Sequence, residues 1–248
     1  MTTGSRTFST LIFGKEIDCH MINIFIGYDP REAVVYHVCA NSIIRQSTAP
    51  VSLTPLALKT LGGYTETHVD GSNQFIYSRF LVPHLMKYSG WALFIDGDML
   101  LRSDINELWA LRDDSKAVIC VHHDYKTKTH QKYLGSANQD YPRKNWSSVV
   151  LWNCSHPGNS VVTPEFIQNA TGAQLHRFSW LPDELIGELP KVWNWLPDEF
   201  GANADAKLLH WTLGAPCFHE YATAPMAEEW HREALLSNYC KQITFESP

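Results

Sequence analysis

Apolar and polar residues alternate along this chain in blocks that predict strands followed by helices. Residues 22–27 and 51–58 predict strands, and the apolar run at residues 91–96 predicts a strand that is covered on both faces of a sheet. Between the first two runs, residues 30–45 place valine and isoleucine on one side of a predicted helix, which begins after an aspartate and a proline. The first part of the chain therefore predicts a strand–helix–strand unit and a further strand.

The alternation continues to the end of the chain. Further strands are predicted at residues 116–121, 147–153 and 208–213, and helices at about 73–88, at 105–111, from 163, from 182 and at 225–239. Strands alternating with helices predict a layered α/β fold with a largely parallel sheet. The polar loop at 122–145 is long for a compact domain, so we expect it to contact substrate or to move.

The size of the chain suits one large domain. It has 248 residues, of which 44% are hydrophobic and 19% charged, and these values are typical of a globular protein with a core. Residues 1–20 carry no periodic pattern and are rich in threonine and serine. We expect them to form a dispensable or poorly ordered extension that precedes a single domain at 21–248.

Net charge, the length of the apolar runs and the placement of the cysteines limit the possible partners and the cellular location of the protein. A net charge of −6 argues against a nucleic-acid partner, which requires a basic footprint. The apolar runs are far shorter than the roughly 18 residues of a membrane-spanning helix, which leaves only peripheral membrane association open. The six cysteines are scattered and include no C-x-x-C pair, so we expect reduced thiols and a cytoplasmic protein.

The chemistry of the chain is concentrated at the end of the third apolar run, where Asp96-Gly97-Asp98 follows WALFI. Two carboxylates at the end of a buried strand require compensation, because unpaired buried charges cost several kcal/mol or become protonated. Carboxylate oxygens are preferred ligands of Mg²⁺ and Mn²⁺, which often bind substrate phosphates as well. The pattern therefore predicts a metal-bound diphosphate.

Four segments in order carry a resemblance to a known family. They are IFIGYDPREAVVYHVCANSI, YSRFLVPHL, FIDGDML and LLHWTLGAPCF, and they extend over roughly residues 22–220. Together they resemble retaining GT-A glycosyltransferases of family 8, which include glycogenin and bacterial galactosyltransferases. The resemblance implies a GT-A fold, which is Rossmann-like and nucleotide-binding, with a mostly parallel central sheet flanked by helices. It also implies a hexosyltransferase-like enzyme that is metal-dependent and retains the anomeric configuration.

The resemblance implies substrates and site residues. The donor would be a nucleotide-diphosphate sugar, with a UDP-sugar favoured, and the acceptor a glycan or another hydroxyl compound. Asp96, Asp98 and His210 would hold Mn²⁺ or Mg²⁺, and Arg79, Asp183 and Glu184 would act on the transferring sugar. The residues implied in donor binding are Gly27, Tyr28, Asp29, Arg79, Asp96, Gly97, Asp98, Ser147, Asn153 and Gly214.

The chain departs from the family pattern at two positions. Glu32 stands where the family has an aromatic residue that stacks on the base, and Tyr28 is a candidate substitute. The late motif of the family contains a phosphate-binding lysine, which is missing beside Pro216. Lys207 and Lys144 are both candidates for supplying that charge.

Two rival functions are compatible with a related sheet. A nucleotidyltransferase would require a basic, glycine-rich sequence near the first strand, and residues 27–32 (GYDPRE) lack it. A non-catalytic nucleotide-sugar or carbohydrate-binding protein would use the nine tryptophans and a degenerate donor site. Donor hydrolysis in the presence of Mn²⁺ would separate these alternatives from a transferase.

Overall fold

A computed structural model gives the fold of the protein. It describes residues 11–12, 15–16, 21–131, 135 and 140–237. Near the N-terminus, β1 (Leu11–Ile12) and β2 (Lys15–Glu16) pair in an antiparallel ladder. The rest of the predicted extension at 1–20 lies outside the described residues, so its dispensability stays a prediction.

Six strands form the central sheet. The remaining strands are β3 (Ile22–Tyr28), β4 (Val51–Ala57), β5 (Trp91–Ile95), β6 (Met99–Leu101), β7 (Val118–Cys120), β8 (Val149–Asn153), β9 (Ile186–Glu188) and β10 (Leu208–His210). The order in the central sheet is β4-β3-β5-β8-β7-β9, and β8 alone runs antiparallel to its neighbours there. The predicted α/β fold with a mostly parallel sheet is therefore confirmed.

Seven α-helices surround the sheets in the described part of the chain. They are α1 (Ala33–Gln46), α2 (Val82–Leu85), α3 (Ile105–Trp109), α4 (Pro164–Asn169), α5 (Gly172–His176), α6 (Pro197–Phe200) and α7 (Ala227–Leu236). The helix expected over 73–88 is instead a 3₁₀ turn at Ser78–Leu81 followed by α2. Pro83 explains the break, because proline has no N–H to donate to the carbonyl four residues earlier. No helix within these described segments has the length and apolar character needed to cross a membrane.

Strand β5 shows why the central sheet is stable. Ala92 and Phe94 pack into one apolar cluster, while Leu93 and Ile95 pack into another on the opposite face. All four side chains are fully buried or nearly so. Alternate residues of a strand point to opposite faces, so a continuous apolar run is the pattern of a strand covered on both sides.

A smaller antiparallel sheet connects the centre of the chain to its late segment. β6 pairs with β10 so that Met99 lies opposite His210. Gly97, between β5 and β6, comes so close to β3 that a Cβ on it would lie 2.5 Å from the Gly27 carbonyl oxygen. The turn that carries Asp96 and Asp98 is therefore held between two sheets.

Replacing Gly97 with alanine should lower the free energy of unfolding by about 1–3 kcal/mol, because overpacking at a close backbone contact forces a local shift. Gly62→Ala is the matched control, since nothing lies within 4 Å of a Cβ built at that position. Urea unfolding of both variants measures the difference. Equal stabilities would contradict the close approach of Gly97 to Gly27.

Candidate metal and donor site

The strand order brings three predicted ligands to one place. β5 ends at Ile95, and the next residue, Asp96, donates its backbone N–H to the Ser148 carbonyl at 3.0 Å. The β6–β10 ladder continues beyond His210, where the Trp211 N–H donates to the Asp98 carbonyl at 3.3 Å. These main-chain contacts fix His210 beside both aspartates.

Asp96, Asp98 and His210 form what we term the acid–histidine cluster. The His210 Nε2 atom lies 3.3 Å from Asp98 Oδ1 and 3.7 Å from Asp96 Oδ2. One ligand atom from each residue lies within 4.8 Å of the other two. Among the described residues, this cluster is the one group of three or more side chains placed to hold a metal ion. Two carboxylates and one imidazole are a donor set that suits a divalent cation such as Mn²⁺.

Charge in the cluster is only partly balanced by the protein. Arg79 Nη1 lies 2.8 Å from Asp96 Oδ1 and also donates to the Ser147 carbonyl at 3.1 Å. Burial raises the pKa of Asp96, Arg79 opposes this shift, and the Asp98 carboxylate adds to it. One guanidinium thus pairs with the buried Asp96 while the partly buried Asp98 repels that carboxylate, and a bound cation would remove this repulsion.

A third acid, Asp198, lies near the cluster and was not predicted. Burial raises the pKa of Asp198 to about 6, and the carboxylates of Glu199 and Asp98 act in the same direction. The Leu213 N–H opposes the shift by a hydrogen bond to this carboxylate. Asp198 therefore connects α6 to the segment that follows His210.

A polar cavity opens in front of the cluster. Its lining residues are Ser72, Asn73, Ile76, Arg79, Asp96, Asp98, Tyr141, Asn145, Ser147, Ser148, His176, His210 and Thr212. Of the predicted donor contacts outside the cluster, Arg79 and Ser147 line it. Among the lining residues that sequence reasoning missed, His176 is the most informative, because its Nδ1 lies 2.7 Å from the Ser147 hydroxyl.

A second cavity of about 340 Å³, which we term the side cavity, adjoins the first and shares Asn73 and Ile76 with it. Its lining residues are Arg31, Leu58, Glu66, His68, Val69, Gly71, Asn73, Gln74, Ile76 and Tyr77. Most of them belong to the segment between β4 and the Ser78–Leu81 turn. The two cavities therefore lie side by side, and together we term them the groove.

Asp29, one of the residues implied in donor binding, is already paired within the protein. Asp29 is buried and accepts hydrogen bonds from the Arg31 backbone, from the Arg31 guanidinium and from the Gln74 backbone. Burial would raise the pKa of Asp29, but these hydrogen bonds lower it overall. Tyr28 packs edge-on against Tyr36 with ring centroids 5.4 Å apart, and it lines neither cavity.

Gly27 and Gly97, both implied in donor binding, allow close packing around the turn that carries Asp96 and Asp98. Gly27 lies against the Phe75 ring, since a Cβ there would approach the ring to 2.4 Å, and Gly97 lies against Gly27. Gly97 was implied in donor binding, and the group nearest to it in the structure is the backbone of β3. Gly214 is buried in the segment that follows β10.

Three further predicted residues are not among those that line the polar cavity. Asn153 is at the opposite end of β8, beside Trp91, and its side chain donates to the Lys116 carbonyl at 3.1 Å. Asn153 therefore lies at the end of β8 that is farther from the cluster, and this position does not fit the predicted contact with the donor. Asp183 has a side chain that is 82% exposed and pairs with Arg143 at 2.5 Å. Glu184 is exposed as well.

Comparison with known proteins gives one close relative in sequence. No protein-family model matches the chain. Protein CDI of Arabidopsis thaliana is 46% identical over 228 residues, which cover 88% of this chain and 87% of that protein. The chain belongs to the family of Protein CDI.

Solved structures similar to this CDI family member are glycosyltransferases with the GT-A fold. The galactosyltransferase LgtC, solved with donor and acceptor sugar analogs, has a TM-score of 0.58 and 14% identity, with 87% of this chain and 96% of LgtC covered. GlyE of Streptococcus pneumoniae has a TM-score of 0.60 and 14% identity, with 87% of this chain covered. WbbM, a bifunctional glycosyltransferase, has a TM-score of 0.55 and 16% identity, with 92% of this chain covered.

These likenesses confirm the predicted GT-A fold, while membership of family 8 stays a prediction. The chain spans 51% of the length of WbbM and 60% of that of GlyE. At identities of 14–16% the likeness extends to the fold and not to the substrate.

His68 lines the side cavity of this CDI family member and makes a set of contacts that we term the histidine clamp. His68 Nδ1 lies 2.6 Å from Glu66 Oε1, and His68 Nε2 lies 2.8 Å from the Ala170 carbonyl oxygen. The ring also stacks on Tyr77 with centroids 3.9 Å apart. A carbonyl accepts only, and an ionised carboxylate does too, so both contacts are made at once by the protonated ring. The clamp holds the segment at 62–73 against the start of α5.

The clamp should make stability depend on pH. Burial lowers the pKa of His68, but the hydrogen bonds to Ala170 and Glu66 outweigh burial and raise it overall. A raised pKa in the folded state means that the stabilisation is complete below about pH 6.5, the usual value for histidine. It is lost as the pH rises through the folded-state pKa.

The difference in melting temperature between the wild-type protein and His68→Gln should therefore be largest near pH 6 and shrink toward pH 9. Thermal unfolding followed by circular dichroism across this range measures it. His130→Gln is the control, because His130 is exposed. A difference that stays constant or grows with pH would contradict the clamp.

Proposed function

We propose that this protein is a metal-dependent glycosyltransferase of the family 8 kind. It moves a sugar from a nucleotide-diphosphate sugar to a glycan or other hydroxyl acceptor, with retention. The observation that carries the proposal is the acid–histidine cluster at the carboxyl end of β5, facing a polar cavity in a GT-A fold. LgtC, which shares the fold, was solved with donor and acceptor sugar analogs, and this supports the same substrate class here.

The residues of the cluster fit the role of metal ligands. Asp96, Asp98 and His210 would hold Mn²⁺ or Mg²⁺, and the ion, when bound, would stabilise the negative charge that develops on the leaving diphosphate. Arg79 adds a fixed positive charge at the same wall of the cavity. Its guanidinium lies over the Phe75 and Phe94 rings, at 5.4 and 5.1 Å from their centroids, which restricts its movement.

The groove offers room for the whole donor. The diphosphate and sugar would lie in the polar cavity, and the nucleoside would lie in the side cavity, whose volume is near the lower end of the usual range for ligand pockets. Because Asp29 is already paired with Arg31, recognition of the base would involve Arg31 or the backbone beside it. A UDP-sugar is the first donor to test.

The missing phosphate-binding lysine is best replaced by Lys144. Lys207 pairs with Glu107 and precedes β10, at the end of that strand away from His210. Lys144 is buried, and its neighbour Asn145 lines the polar cavity. The Lys144 ammonium also lies 5.6 Å from the ring centroid of Tyr141, another residue of the cavity wall.

Asp183 is the better of the two acids proposed to act on the transferring sugar. Arg143 pairs with it, and the Arg143 guanidinium lies over the Trp146 ring at 5.1 Å from the centroid. The Glu184 carbonyl accepts a hydrogen bond from Lys116, on the side of the domain where β7 begins. An acid held by an arginine has a defined position, whereas an unpaired exposed acid has many.

Replacing Asp98 with asparagine should reduce sugar transfer by about 10² to 10³, the usual cost of losing one electrostatic stabiliser of the transition state. The assay measures release of nucleoside diphosphate from a panel of nucleotide sugars with Mn²⁺ and a mixture of sugar acceptors. Asp205→Asn is the matched control, since Asp205 is exposed and is not part of the cluster.

Two results would overturn the proposal. Full activity of Asp98→Asn, or of the wild-type protein in EDTA, would rule out the metal-dependent mechanism. Binding of a nucleotide sugar without any turnover would instead identify a carbohydrate-binding protein. Consumption of a sugar phosphate and a nucleoside triphosphate would identify a nucleotidyltransferase.

Lys144→Gln should raise the KM for the donor by about 10- to 150-fold, because the loss of a charged hydrogen bond to phosphate costs roughly 1.5–3 kcal/mol. Lys207→Gln is the matched control and should leave that KM unchanged. Steady-state kinetics with the donor found in the panel measures both. A larger effect at Lys207 than at Lys144 would reverse the assignment.

A further inference from the structure

Asn194 occupies a buried position directly behind the metal ligand His210. Its side chain is inaccessible to solvent, and its Oδ1 atom lies 2.9 Å from His210 Nδ1. On its other side, Asn194 Nδ2 donates to the Asn145 carbonyl oxygen at 3.2 Å. The amide thus spans the space between the late strand β10 and the turn that begins β8.

These contacts determine which nitrogen of His210 carries the proton. The Asn145 carbonyl can only accept, so the amide group of Asn194 must turn its NH₂ toward it. The amide oxygen then faces His210 Nδ1, and an oxygen acceptor requires an N–H at that position. In the neutral ring, the lone pair is therefore on Nε2, the atom that faces Asp96 and Asp98.

We propose that Asn194 is a positioning residue that fixes the tautomer and orientation of His210 for metal binding. The proposal rests on the proposed function, because it assumes that the cluster holds a divalent cation. An outer hydrogen-bond partner of this kind sets the ring angle and makes the coordinating nitrogen a better ligand.

The carbonyl that orients Asn194 is itself held in place. Asn145 has a φ of 62°, in the left-handed region that asparagine tolerates better than most residues. Its side chain donates to the Tyr125 hydroxyl at 2.7 Å. Because Asn145 also lines the polar cavity, the amide of Asn194 joins the metal ligand on one wall to a donor-contacting turn on the other.

Metal affinity tests the proposal directly. Asn194→Leu keeps the approximate volume but removes the acceptor, and it should weaken Mn²⁺ binding by about 10- to 100-fold. Asn194→Asp keeps an acceptor for His210 Nδ1 but offers no N–H to the Asn145 carbonyl, so it should recover only part of the affinity. Titration of free Mn²⁺ by electron paramagnetic resonance measures each dissociation constant without any substrate.

Asn159→Leu is a matched control, because Asn159 is also a fully buried asparagine that donates to backbone carbonyls, those of Ala117 and Asn153. It should lower the melting temperature while leaving Mn²⁺ affinity unchanged. If Asn194→Leu binds Mn²⁺ as tightly as the wild-type protein does, or Asn159→Leu loses as much affinity, the positioning role is wrong.

A double variant shows whether Asn194 acts through His210. In a His210→Ala background, Asn194→Leu should cause no further loss of Mn²⁺ affinity, because the ring that it positions is gone. If Asn194→Leu reduces Mn²⁺ affinity in the His210→Ala background as much as it does in the wild-type protein, the proposal is overturned.

The tautomer itself can be measured in the wild-type protein without metal. Long-range ¹H–¹⁵N correlation spectra at a pH where the ring is neutral should show the proton of His210 on Nδ1. A proton on Nε2 would refute the proposal even if Asn194→Leu fails to fold. A wild-type protein that has the Nδ1 proton but binds no Mn²⁺ would refute the proposed function and confine Asn194 to orienting the ring.

Discussion

Two carboxylates at the end of a buried strand are the constraint on which this structure depends. Asp96 and Asp98 repel each other in a region where burial already raises the pKa of Asp96. Arg79 offers one positive charge and the His210 ring one nitrogen lone pair, so the divalent cation of our proposal would complete the charge balance of the cluster. On that proposal, repulsion between the two carboxylates in the metal-free protein is the cost of affinity for a divalent ion.

The surrounding fold serves to hold four groups from distant parts of the chain within a few ångströms. The β6–β10 ladder delivers His210, and the backbone contact of Ser148 with Asp96 fixes the start of β8 beside the same turn. Arg79 reaches the turn from the 3₁₀ segment at Ser78–Leu81, which leads directly into α2. Rigid main-chain pairing on three sides is what makes the geometry of the cluster independent of flexible loops.

The sequence predicted the features that depend on local pattern and on the chemistry of buried acids. The apolar run that begins at Trp91 and the two aspartates that follow it were therefore interpretable from the order of residues alone. The position of Asn153 could not be predicted in this way. The direction of β8 decides which of its ends lies beside the site, and β8 runs antiparallel to β5. Short elements such as β9 and α5 contain too few residues for a periodicity, and His176 reaches the cavity through tertiary packing alone.

The reversed direction of β8 has a consequence for how such a protein can diversify. β7 ends, and β8 begins, at the same edge of the sheet as the acid–histidine cluster. The connection between these two strands therefore starts and finishes beside the groove. Its last residues, from Lys144 to Ser148, include contacts that hold the acid–histidine cluster, whereas the part before them can change in length and sequence without altering any strand pairing. If the proposed function is correct, acceptor preference can evolve in that earlier part while the frame of the cluster stays constant.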